Sequence, residues 1–282
     1  MKKSIIIILL AFCTSPMWAQ QNISGRILDK QTLKGVEFAA VSLKNKDIGS
    51  YTDFNGKFNL EEVNATDTLV IRHVAYGKEY VPLSYFLKDS LFLINPQTLT
   101  ISELIVKPKK GKIYKIGFAN LGSKTSFTSF KGFEVTTLIK DEEFKESFIK
   151  EIYLSVKEEN NSSYYIKSHI YSNDNGKPGA EVIFENIHKI SNVKEKIVID
   201  LSKNMILFPA EGLFVGIEWV GMISNDKLDV NGKSVISPKI KTTEKNIESI
   251  TYYRHWDRPW KDISILFEKP KVNALIGLTV IK

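Results

Sequence analysis

From residue 20 onward the chain is written in short alternating apolar and polar runs, broken by Gly, Asn, Asp and Pro roughly every eight to twelve residues. A period of two places successive side chains on opposite faces of a strand, so such a chain buries strand faces against one another in stacked sheets. Helical spacing is confined to one short stretch, 82–88. The expectation is an all-β chain, and 282 residues suffice for two units, each with its own core. The composition, 43% hydrophobic and 25% charged, is that of an ordinary globular protein. A single cysteine excludes a disulfide framework and a Cys-rich metal site. After residue 12 no apolar run is long enough to cross a bilayer, so no transmembrane span is expected in the mature chain.

Residues 1–19 read as a signal peptide. Lys2 and Lys3 supply the charged start, Ile5 to Phe12 the short apolar stretch, and Pro16 breaks it before Ala19. Cleavage after Ala19 would leave Gln20 first and no cysteine, which suits an oxidising exterior. Cys13 follows Phe12, whereas a lipobox needs a small residue there, so lipidation at Cys13 is not expected. Export to the periplasm, the outer membrane or the exterior follows. Loss of the two leader lysines lowers the net charge from +7 to +5. Much of the remaining excess sits in Lys107-Pro108-Lys109-Lys110-Gly111-Lys112, read as a solvated basic linker over 107–115. It lacks interleaved aromatics, so no nucleic-acid partner is expected.

Residues 20–106 give about seven strand-like runs, as a small sandwich requires. Ile23-Ser24-Gly25-Arg26-Ile27 comes first and Val36 to Leu43 second. Tyr51 to Leu60 reads as a hairpin turning at Asn55-Gly56. Thr68 to Arg72, Leu91 to Ile94 and Ser102 to Val106 complete the set. The ordered motifs Ile23 to Asp29, Gly35-Val36, Ala40 to Leu43, Thr52 to Phe58, Ala75-Tyr76-Gly77 and Leu99 to Val106 resemble the carboxypeptidase-regulatory-like domain family of Bacteroidetes secreted proteins. That resemblance covers about residues 21–106. It implies a seven-stranded, transthyretin-like sandwich with no peptidase chemistry of its own, beside another domain. The Asp53-Phe54-Asn55-Gly56 stretch lacks the downstream ligands of a calcium loop. Asp53 is expected to accept from the turn backbone instead.

Residues 116–282 read as a larger jelly-roll-like β-sandwich. In 164–171, Tyr164, Ile166, Ser168 and Ile170 face one way and Tyr165, Lys167, His169 and Tyr171 the other. In 213–220, Leu213, Val215, Ile217 and Trp219 form an inward stripe. Strands are also read at 148–156, 196–201, 250–253, 263–267 and 275–281. Asn173-Asp174-Asn175-Gly176 reads as a turn in preference to a calcium loop.

No catalytic constellation appears: His73, His169, His188 and His255 are scattered, and no His-Glu-x-x-His, Gly-x-Ser-x-Gly or phosphate loop occurs. Neither a catalytic residue, nor a metal site, nor a cofactor is expected. The densest aromatic and polar cluster, Tyr253, His255, Trp256, Asp257, Arg258 and Trp260, is the candidate ligand-binding loop, since flat rings stack on sugars while Asp and Arg bind hydroxyls. The same residue types also close the ends of sandwich cores. The reading is a non-enzymatic, exported accessory protein whose partner is another envelope protein or a glycan. Mass spectrometry of the mature chain should find Gln20 first; a diacylated Cys13 would refute the leader reading.

Overall fold

The computed structural model describes residues 21–97, 111–118, 122–123, 125–157, 163–224, 227–229, 236–244, 250–268 and 271–282. The leader, the strand expected at 102–106 and residues 107–110 of the basic linker lie outside the described residues.

The first unit runs β1 (Gln21–Asp29), β2 (Ala40–Leu43), β3 (Gly49–Tyr51), β4 (Lys57–Val63), β5 (Thr68–His73), β6 (Gly77–Pro82), α1 (Leu83–Lys88) and β7 (Leu91–Ile94). Its sheets are β4-β1-β7, with β7 parallel to β1, and β3-β2-β5-β6. Ile27, Phe58, Leu60 and Ile94 of one meet Val41, Leu43, Leu69 and Ile71 of the other in a closed core.

The run 36–43 becomes strand only from Ala40, because Phe38 holds a positive φ of 54°. Tyr51 to Leu60 is not a hairpin. Its arms part to different sheets, β3 pairing with β2 and β4 with β1. The turn chemistry between the arms is as expected: Asp53 Oδ1 accepts from Asn55 N at 2.8 Å and Lys57 N at 2.9 Å, and Gly56 takes φ +76°.

The second unit runs β8 (Ile113–Gly117), β9 (Thr125–Ser129), β10 (Phe133–Ile139), β11 (Phe148–Ser155), β12 (Ser163–Asp174), β13 (Lys177–Ser191), β14 (Lys196–Asp200), β15 (Leu213–Ser224), β16 (Lys227–Asp229), β17 (Ile236–Thr243), β18 (Thr251–His255), β19 (Lys261–Asp262), α2 (Ser264–Phe267), β20 (Asn273–Ala274) and β21 (Ile276–Ile281). Strand β8 pairs with β21, so 113–115 belong to this unit's sheet rather than to a linker. Residues 264–267, expected as strand, are a helical turn. Asp262 Oδ1 accepts from the Ser264 amide and hydroxyl at 2.8 and 2.6 Å and curls the chain there. Asn175 and Gly176, both at positive φ, make the tight turn between β12 and β13.

A seven-stranded sheet, β13-β12-β15-β10-β18-β19 with β16 beside β15, faces the four-stranded sheet β14-β11-β21-β8. Leu213, Val215, Ile217 and Trp219 point into the core between them, as the alternation requires. The chain is thus all-β, and no helix among the described residues is long and apolar enough to cross a membrane.

The two units are stacked. The β3-β2-β5-β6 sheet turns Ala40 and Tyr51 outward, where they join Val220 and Trp256 of the second unit in a third apolar cluster. Of the five sheets among the described residues, which include a small one, β20-β17-β9, four therefore lie in series, and the two inner ones are covered on both faces. Trp256, 3% exposed, is clamped between a backbone position of each unit. A Cβ on Gly49 would come within 2.5 Å of its ring, and one on Gly132 would also collide with it. Gly49→Ala should therefore destabilise the protein by about 1–3 kcal/mol. In a Trp256→Ala background the same change should cost almost nothing, as thermal melts of the double-mutant cycle would show.

Candidate functional site

The outer face of the seven-stranded sheet carries a row of charged side chains in register. His169 lies opposite Glu185, Lys167 opposite Glu218, Glu218 opposite Glu134, and Glu134 opposite Arg254. These are the alternate positions of strands whose other face builds the core, so the first unit's sheet, stacked on that face, desolvates them. Glu134, Lys167, His169 and Glu218 are buried.

An isolated charge there would be prohibitively costly, and each is paired. From the first unit, Arg72 Nη2 donates to Glu218 Oε1 at 2.8 Å and lies 4.0 Å from Glu134 Oε2. Tyr51 Oη, also from the first unit, donates to Glu218 Oε1 at 2.6 Å. Arg254 donates to Glu134 Oε2 at 2.7 Å and to Tyr171 Oη at 2.9 Å, while Tyr171 donates to Glu134 Oε1 at 2.5 Å. Lys167 Nζ meets Glu185 Oε1 at 3.2 Å, and its ammonium stands 5.4 Å from the centre of the Tyr51 ring. His169 is the hub, with Nε2 3.1 Å from Glu218 Oε2 and Nδ1 3.3 Å from Glu185 Oε2.

This geometry sets the protonation states. Burial pushes the His169 imidazole down, but the surrounding glutamates outweigh it and hold its pKa up at about 9. Burial also raises Glu185 and Glu218, yet Lys167 and His169 at the first and Arg72 and His169 at the second hold them below the usual carboxylate range. Tyr51 and Tyr171 are pushed well up by burial and by the glutamates beside them. Desolvation holds His73 and His188 at about 4, and so neutral.

Glu134, His169 and Glu218 place three ligand atoms within 4.8 Å of one another, near enough to share a cation. The donor set fits a proton better than a metal. His169 Nε2 already spans both carboxylates, and two guanidiniums and two tyrosine hydroxyls already donate to them. A divalent ion would have to displace that proton and sit beside both arginines.

The row opens onto a cavity of about 770 Å³ lined from both units. Arg72, His73, Lys78 and Gln97 come from the first; Tyr171, Glu185, Arg254, Asp257 and Trp260 from the second. The Trp260 ring centre lies 4.3 Å from the Arg254 guanidinium carbon. One buried polar atom of the lining residues, Arg72 Nη1, has no hydrogen-bond partner among the described residues.

The loop singled out from sequence is divided by this arrangement. Tyr253 stacks on Phe133 at 5.3 Å against the second unit's core, and Trp256 is buried between the units. His255 and Arg258 both pair with Asp47 of the first unit, and Arg258 also donates to Asn45 O at 2.5 Å. Asp257 pairs with Lys78 at 2.5 Å, yet it and Trp260 still line the cavity. Sequence reading missed Tyr51, Arg72, Glu134, Glu185, Glu218 and Arg254. The available signal was a lone charged residue inside strands otherwise apolar on both faces, as in Leu213-Phe214-Val215-Gly216-Ile217-Glu218-Trp219-Val220.

Residues 23–106 match the family model of the CarboxypepD_reg-like domain, the family whose motifs the sequence carries. No curated protein matches the chain. Among solved structures, the cysteine protease and lectin-like domains of Cwp84, a surface layer associated protein of Clostridium difficile, align at 10% identity and a TM-score of 0.40. That alignment covers 96% of this chain and 65% of the other, so this chain spans less than two thirds of its length. A DUF3823 family protein from Bacteroides ovatus aligns at 10% identity and a TM-score of 0.21, over 79% of this chain and 98% of the other.

His169 gives the network a testable pH signature. Its pKa is higher in the fold than the usual 6.5, so its contribution is fully present below about pH 6.5 and fades as pH rises through about 9. The shift corresponds to roughly 3 kcal/mol. Thermal melts from pH 6 to 9.5 should show falling stability, and His169→Gln should flatten that slope.

Proposed function

We propose that the chain is a non-enzymatic accessory protein, exported to the bacterial cell envelope, that acts by binding. The CarboxypepD_reg-like unit and the larger β-sandwich would serve as one rigid body. The observation that carries this reading is the charged row between the units. Its carboxylates are each engaged by a cation or a tyrosine hydroxyl and held away from water. General acid–base work needs a carboxyl or imidazole within reach of a substrate proton. Glu134 and Glu218, at 1% and 0% exposed, are positioned to hold the units in register instead.

A more specific reading, that the bound partner is a glycan, is favoured by the cavity beside this row. It combines an aromatic wall, Trp260 and Tyr171, with several polar groups from two units, Gln97, His73 and Asp257 among them. A few convergent polar groups against an aromatic surface suit a sugar ring. A flat apolar docking surface for a protein would look different. Its volume lies within the range of small-ligand sites, roughly 300–1,000 Å³.

Passing the mature protein over immobilised glycans tests this. Wild type should be retained on a subset, Trp260→Ala should lose retention by tenfold or more, and its melting point should stay close to wild type. Equal retention of both proteins would move the site elsewhere. Release of free reducing ends from any glycan would overturn the non-enzymatic reading.

A further inference from the structure

Resting on the glycan reading, we infer that the cavity takes an acidic sugar, whose carboxylate is received by the unused guanidinium donors of Arg72 and Arg254. Arg72 reaches the site from β5 and Arg254 from β18, one from each unit, and both line the cavity. Arg72 spends Nη2 on Glu218, while Nη1 stands 3.8 Å from Glu185 Oε2, too far for a hydrogen bond. That Nη1 is buried and has no hydrogen-bond partner. Arg254 spends Nε on Glu134 and Nη2 on Glu134 and Tyr171, which leaves its Nη1 without a partner among the described residues.

The two guanidiniums flank one oxygen. Glu134 Oε2 lies 2.7 Å from Arg254 Nη2 and 4.0 Å from Arg72 Nη2. Two like charges held this close repel, and a single carboxylate oxygen shared between them leaves donors over. A second carboxylate would complete the set, because a guanidinium is a planar fork built to bind one with parallel hydrogen bonds.

Charge counting agrees. Across the row and the cavity wall, Arg72, Lys78, Lys167 and Arg254 are matched by Glu134, Glu185, Glu218 and Asp257. Protonated His169 then leaves one positive charge unbalanced. A neutral ligand would leave that excess in place; a monoanion would cancel it.

The rest of the cavity argues for a sugar acid over a simple anion. His73 Nδ1 accepts from the Ala75 amide at 3.1 Å, so its proton lies on Nε2, a neutral donor for a hydroxyl. Gln97 adds an amide, Asp257 adds an acceptor, and Trp260 offers ring surface. Val182 and Ile183, among the exposed large hydrophobics, line the same space. An inorganic ion would leave most of the 770 Å³ and all of these groups unused.

Isothermal titration of the full mature protein tests the inference with trigalacturonate, its methyl ester, a glucuronate trisaccharide and its ester, and cellotriose. The expected result is that at least one free acid binds tenfold or more tightly than its own ester. That binding should weaken with added salt and be lost in Trp260→Ala. The acid–ester comparison uses the intact protein, so it does not hang on a variant folding. Equal binding of acid and ester, or binding of cellotriose alone, would overturn the carboxylate inference and leave the glycan reading standing. No binding of any saccharide at millimolar concentration would overturn both. Binding of a hexapeptide through its free C-terminal carboxylate, with no saccharide bound, would reassign the cavity to peptide ends.

Discussion

A β-sheet covered on both faces has nowhere to place a charge except against its opposite, and the whole arrangement follows from that constraint. The seven-stranded sheet spends one face on the sandwich core, where Val215, Ile217 and Trp219 are fully buried. Its other face carries Glu134, Lys167, His169 and Glu218, and the first unit's sheet lies on top of them. Desolvating carboxylates and ammonium groups costs several kcal/mol apiece, and only close, multiply bonded pairing offsets it. The short contacts are where that offset is found, from Arg72 to Glu218, Arg254 to Glu134, and Tyr51 and Tyr171 to the same two glutamates. Such networks add little net stability compared with an apolar replacement, but a shifted register would leave charges stranded. Their contribution is therefore to fix one docking position of unit on unit. The apolar contribution comes from Phe38, Tyr51, Val220 and Trp256 beside them.

The general architecture was legible because strand alternation is a local signal. The stripe Leu213, Val215, Ile217, Trp219 and the opposed faces of 164–171 could be assigned to sides of a sheet without knowing what lay on either side. The Asp53 turn was legible for the same reason, since its hydrogen bonds close within four residues. The pairing of strands was not. Tyr51 to Leu60 looks like a hairpin because turn and flanking strands agree locally, yet the two arms find partners in different sheets. Pairing is decided by the packing of the whole, to which the turn contributes one term.

The site was less visible still. Glu134 and Glu185 lie on β10 and β13, neither of which stands out from sequence. Strand β13 opens with Lys177-Pro178-Gly179, residues that signal a turn. The structure resolves this by putting β13 at the edge of its sheet, where a missing amide donor costs nothing. Lys167 and His169 were assigned to the right face, but a polar face usually meets water, and nothing in 164–171 says that another unit covers it. The aromatic loop at 252–260 drew attention for its composition, and the structure uses most of it as mortar between the units. Asp257 and Trp260 alone of the six candidates reach the cavity while Tyr253, His255, Trp256 and Arg258 do not, although all six are close in sequence. A loop's composition says what it can bind but not which of its faces is left free.

The charge balance assigns the first unit a role that a tethered module would not have. Without it, Glu134, Glu185 and Glu218 would face Lys167, Arg254 and His169 only. Glu218 would lose both its guanidinium and its Tyr51 donor, and the His169 proton would be the chief remaining compensation for it. Within the first unit alone, Arg72 would stand on a sheet face with no carboxylate opposite it. Neither half keeps all of its charges paired, since separation parts Arg72 from Glu218 and Lys78 from Asp257, and the cavity exists only where they meet, with Lys78 and Gln97 on one wall and Arg254 and Trp260 on the other. The sandwich of residues 21–94 thus supplies one wall of the cavity, whose shape is set by the seam between the units.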